Sequence, residues 1–133
     1  VLARHVENLQ AIGLPVAVAI NAFASDTAAE QDQVLAHCRD RLGVPAHLCR
    51  HWADGPAGAE DLARSVAALA DANPDPHGRF TPLYATGADV LDALTIVATR
   101  IHRAGHVTLA PAAQKQLAAL RAEGLANLPV CLA

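Results

Sequence analysis

The 133-residue sequence is long enough for one domain with a real core. Its formal net charge is −3 and its one lysine is Lys115, which excludes the basic stripe of a nucleic-acid groove, and no apolar run reaches the length of a membrane span. Hydrophobic residues make up 53% of the chain but aromatics only 3%, so the predicted core is Ala, Leu and Val, and the four rings, Phe23, Trp52, Phe80 and Tyr84, stand out.

In chain order, VLARHVENLQAIG places Leu2, Val6 and Leu9 at helical spacing and stops at Gly13. PVAVAI (15–20) is continuous and apolar, the pattern of a strand buried on both faces of a parallel sheet. A second helix follows. Thr27 and Glu30 fit a capping box, with Ser25 and Asp26 as rival caps, and Val34, Leu35, Cys38 and Leu42 form its apolar stripe before Gly43. VPAHLCRHW (44–52) reads as the second strand and ADGPAG as a loop. A third helix is expected over 59–72, with Leu62, Val66 and Leu69 in register, and NPDPHG (73–78) as a break. A fourth helix places Leu91, Leu94, Ala98 and Ile101 inward; a fifth starts at Pro111 and ends at Gly124; LPVCLA reads as another buried strand.

Strand and helix alternate with short loops, which predicts an α/β fold: three layers, with a mostly parallel sheet flanked by helices. Residues 1–133 are expected to form a single partial domain without an internal boundary, a piece of a longer protein. Cys38, Cys49 and Cys131 show no disulfide-scaffold pattern and suit a reducing, cytoplasmic setting.

In open α/β sheets, ligands bind beyond the carboxyl ends of the strands. Phe23 lies just past the first predicted strand and Trp52 at the end of the second. Two roles fit such rings: platforms for a flat heterocycle, or apolar plugs at the edge of the core. Asn21, at the first strand's end, is a candidate for holding the loop or a ring edge. Gly55 and Gly58 are candidates for close approach of a ligand to backbone. No Gly-Lys pair occurs in the chain, so a nucleotide phosphate loop is excluded within it. His47, Cys49 and His51 alternate along the second predicted strand, so a zinc-binding face is an alternative function, as is a role in assembly alone.

RHVENLQAIGLPVAVAINAFASDTAAE, HWADGPAGAEDLA, FTPLY and GLANLPVCLA together resemble the formate–tetrahydrofolate ligase (10-formyltetrahydrofolate synthetase) family, in order and spacing through essentially the whole chain. The resemblance implies ATP-dependent joining of formate to N10 of tetrahydrofolate through formyl phosphate. It implies an α/β enzyme of P-loop type, using tetrahydrofolate as substrate and ATP with Mg in the full-length protein, and assembled as a homo-oligomer. It also implies that Phe23 and Trp52 sandwich the folate ring system. The phosphate loop of the family lies outside this segment, so catalytic residues are not assigned within it, no metal ligand is expected, and residues 1–133 alone are expected to be inactive. The sequence departs from the family pattern at Ala24 and Ser25, where proline and threonine are usual, at Asp54, where lysine is usual, and at Pro56, where glycine is usual.

Overall fold

The computed structural model describes residues 1–132, arranged as two compact units, Val1–Phe80 and Thr81–Ala133. In the first unit the order is α1 (Leu2–Ala11), β1 (Val18–Asn21), α2 (Ala28–His37), β2 (Ala46–Cys49), α3 (His51–Asp54), α4 (Glu60–Asp71) and α5 (Pro76–Arg79). β1 and β2 pair in parallel, with Val18 opposite Ala46 and Asn21 opposite Cys49. A parallel pair flanked by helices is the α/β arrangement expected from the sequence.

Val6 of α1, Val18, Cys38 and Val44 form the buried cluster of this unit, with Leu2, Val16, Ile20, Leu42 and Ala46 packed against it. These residues are aliphatic side chains and one cysteine, with no ring among them, as the scarcity of aromatics required. Burial raises the Cys38 thiol above its ordinary value, which makes it a core residue rather than a reactive one. Expected burial on both faces of β1 is corrected. Val18 is buried and Ile20 half-buried, but Ala19 and Asn21 are exposed, so the strand is covered on one face among the described residues.

The start of α2 is set by Thr27. Its Oγ1 accepts the Glu30 N–H at 3.3 Å, and a Glu30 carboxylate oxygen accepts the Thr27 N–H at 2.9 Å, a complete capping box. Such a cap contributes about 1 kcal/mol. Beyond His37 the helix widens into a π-helical turn, Cys38–Leu42, which carries Cys38 and Leu42 into the core while Val34 stays on the surface.

The second unit holds α6 (Val90–Ile96), which runs on as a π-helical turn over Val97–Ile101, and α7 (Pro111–Ala122). Ala93, Leu117 and Ala126 are its buried residues. Asp89 caps α6 by accepting the Leu91 N–H at 2.9 Å, and its carboxylate takes two hydrogen bonds from Arg121 of α7, at 3.0 and 2.9 Å. The strand expected in LPVCLA is corrected over residues 128–132, which are irregular; Ala133 lies outside the described residues. Among the described residues no neighbouring strand supplies a ladder there. Val130 instead donates its N–H to the Tyr84 hydroxyl at 3.2 Å, and the Asn127 amide donates to the Gly87 carbonyl at 2.9 Å. Among the described residues no helix is long and apolar enough to cross a membrane.

The Asp89 carboxyl is held below its ordinary value near 3.8, first by the Arg121 guanidinium and then by the Leu91 N–H. A carboxylate depressed by folding adds stability above its unfolded pKa and loses that contribution as pH falls through the folded value. Asp89→Asn is therefore expected to melt below the native chain at neutral pH. The gap should close as pH drops below about 4, which melting curves across that range would check.

Candidate functional site

β1 ends at Asn21 and the chain turns outward through Phe23; β2 ends at Cys49 and the chain turns into α3. Trp52 is therefore not on the strand, as its expected span implied, but in the first turn of α3. The two rings still meet at one place. Both line an open pocket of about 380 Å³ at the carboxyl ends of the parallel pair, together with Ala22, Asp26, Gln31 and Arg50. That volume lies in the range of small-molecule sites. Phe23 is 59% exposed and Trp52 55%, so neither ring is sunk in the core. Two large apolar surfaces left open beside one cleft have contact area to offer a ligand.

Hydrogen bonds hold the Trp52 ring and the backbone that carries Phe23. The Trp52 indole Nε1–H donates to the Ala22 carbonyl at 2.8 Å, which satisfies its polar edge while more than half of the residue stays open to solvent. The Phe23 N–H donates to Asp26 Oδ2 at 2.8 Å, and the Asp26 N–H returns to the Phe23 carbonyl at 3.0 Å. Asp26 is thus not the helix cap but a clasp on the loop that carries Phe23.

The family model described as formate–tetrahydrofolate ligase matches residues 1–133, the whole chain. This chain belongs to the formate–tetrahydrofolate ligase family. Relatives bearing that name include those of Paracoccus denitrificans (strain Pd 1222), 47% identical, Hyphomonas neptunium, 46%, and Allorhizobium ampelinum, 48%, each over 132 residues. These matches cover 99% of the chain and 23% of each relative, so it spans under a quarter of the ligases it resembles.

The other residues singled out in this ligase segment are placed differently. Asn21, Gly55 and Gly58 are not among the residues lining the pocket. Gly55 turns the chain after α3 with φ of 59° and ψ of −146°, a conformation nearly confined to glycine. A Cβ on Gly58 would fall 2.5 Å from the Arg50 carbonyl carbon, so its close approach is to the chain's own backbone. The alternative zinc face is corrected. His51 has left the strand for α3, and among the described residues no three His, Cys, Asp or Glu side chains gather to hold a metal. Cys49 is 1% exposed and its thiol donates to the His47 carbonyl at 3.7 Å, the behaviour of a packed core cysteine. The His47 Nε2 is buried without a hydrogen-bond partner among the described residues.

Sequence reasoning missed Arg50 and Gln31. Arg50 follows β2 directly and brings a cation to the pocket; its Nε lies 3.5 Å from Asp54 Oδ2, with both side chains more than half exposed. An exposed pair of this kind contributes about 0–1 kcal/mol, so the guanidinium is readily drawn to another partner. Asp54 thus finds its cation four residues back along the chain. The signal available was Arg50 two residues before the lone tryptophan, in HLCRHW.

Proposed function

We propose that residues 1–133 form the tetrahydrofolate-facing part of a formate–tetrahydrofolate ligase, with Phe23 and Trp52 as stacking walls for the folate ring system. The observation that carries this reading is the pair of exposed rings lining one pocket at the strand ends, in a chain with only four aromatics. A ring stacked on an aromatic side chain gains about 1–3 kcal/mol, on the scale measured for nucleobases. Arg50, Gln31 and Asp26 supply the polar groups that orient a heterocycle bearing both donors and acceptors. Asn21, Gly55 and Gly58 support the loops around it.

ATP with Mg and the formate-activating chemistry are assigned to other segments of a full-length, cytoplasmic, homo-oligomeric ligase. The absence of a Gly-Lys pair in residues 1–133 supports that division. Trp52 is the one tryptophan of the chain, so its fluorescence reports the pocket alone. Titration with tetrahydrofolate is expected to quench it saturably, while ADP release by the 133-residue chain stays at background. A folded chain whose emission ignores tetrahydrofolate would overturn the stacking reading; ATP turnover would overturn the division of labour.

A further inference from the structure

We propose that Asp26 is a positioning residue that presets both aromatic walls at once, through the single peptide unit joining Ala22 to Phe23. The proposal rests on the stacking reading for its functional meaning, and on hydrogen bonds alone for its mechanism.

The carbonyl of that unit, Ala22 C=O, accepts the Trp52 indole N–H at 2.8 Å. The amide of the same unit, Phe23 N–H, donates to Asp26 Oδ2 at 2.8 Å. In a trans peptide these two groups point in opposite directions, so Trp52 and Asp26 grip one rigid plane from opposite sides. Tilting the plane moves both contacts together. The freedom to tilt is already narrow on one side, because the Ala22 N–H donates to the Cys49 carbonyl at 3.0 Å and Ala22 is 5% exposed. What remains is rotation about the Ala22 Cα–C bond, and the Asp26 carboxylate opposes that rotation.

Asp26 can do this because it is itself fixed. Its N–H is bonded back to the Phe23 carbonyl at 3.0 Å, and the next residue, Thr27, is locked as the cap of α2. The line of constraint therefore runs from the start of α2, through Asp26 and one peptide plane, to an indole thirty residues further along the chain. A carboxylate bonded to the amide also polarises the peptide, which strengthens its carbonyl as the acceptor for Trp52. Fixing the peptide unit that carries both contacts before the ligand arrives spares the cost of ordering it on binding.

The test uses the indole Nε1–H resonance of the ligand-free chain, which has one tryptophan. Asp26→Ala is expected to move that resonance upfield, to speed its exchange with water, and to weaken tetrahydrofolate binding about tenfold. Asp26→Asn keeps an acceptor for the Phe23 N–H and is expected to leave the indole resonance near its native position and to hold its exchange rate and the tetrahydrofolate affinity within about threefold of the native chain. The converse change, Trp52→Phe, is expected to shift the Phe23 amide resonance. Asp26 also lines the pocket, so loss of affinity with an unmoved indole would overturn the coupling and assign Asp26 a direct contact instead. An indole that responds in a chain binding no tetrahydrofolate would support the coupling and overturn the folate reading.

Discussion

Replacing Trp52 with alanine in a full-length ligase carrying this segment is expected to weaken tetrahydrofolate binding by about 1–3 kcal/mol, or about 5- to 150-fold. The cost to the fold should be smaller. Trp52 is 55% exposed and belongs to a four-residue helix, so its removal opens no cavity in the Val6–Val18–Cys38–Val44 cluster. On the proposed stacking, what is lost is a ring face for the ligand, along with one hydrogen bond to the Ala22 carbonyl. Trp52→Phe separates the two, because it keeps a ring but removes the N–H. It should fall between native and alanine variants. If stacking is equal in ground and transition states, KM rises and kcat is little changed. Alanine and native enzymes with the same tetrahydrofolate KM would show that the indole is not a wall of the site. A loss confined to kcat would place Trp52 near the reacting atoms instead.

Much of this site could be read in the residue order, for reasons that are local. A capping box needs only Thr27 and Glu30 three residues apart, and the structure makes both of its hydrogen bonds. The apolar spacing of Leu62, Val66 and Leu69 gave a helix over 59–72, and α4 covers Glu60–Asp71. Two short apolar runs separated by a helix gave parallel strands, and hence a shared rim where Phe23 and Trp52 meet. Illegible features depend on partners far along the chain or on what covers a surface. The indole's bond to Ala22 joins residues thirty apart, and nothing in HLCRHW announces it. Alternation could not show that the second strand stops at Cys49, because the turn is enforced by backbone contact with Gly58. LPVCLA has the composition of a strand, but a strand exists only with a neighbour. The side chains of Tyr84 and Asn127 make other use of that stretch and its surroundings.

The same backbone contact yields the second large effect, a loss of stability at Gly58→Ala. The Gly58 carbonyl accepts the Arg50 N–H at 2.9 Å, closing the 3-10 turn Gly55–Ala59 onto the end of β2. An added Cβ would lie 2.5 Å from the Arg50 carbonyl carbon, 2.7 Å from its oxygen and 2.7 Å from the His51 nitrogen. All three are backbone atoms, so no side chain can rotate out of the way. The turn must lift off, which breaks its hydrogen bond and shifts the Arg50–His51 link that leads to Trp52. Overpacking of this kind costs about 1–3 kcal/mol, and the rigid neighbours place Gly58→Ala toward the upper end. The penalty is one of space rather than of dihedral angle, since Gly58 is not among the positive-φ glycines. Gly105→Ala is the matched control: nothing lies within 4 Å of its Cβ and its φ is likewise not positive, so it should change stability by less than about 1 kcal/mol. Urea unfolding of the two variants would separate them, and the Trp52 emission of folded Gly58→Ala should differ from native. Equal stabilities for the two alanine variants would mean that the turn can move away from β2 freely, and that the indole is held in place by its bond to Ala22 alone.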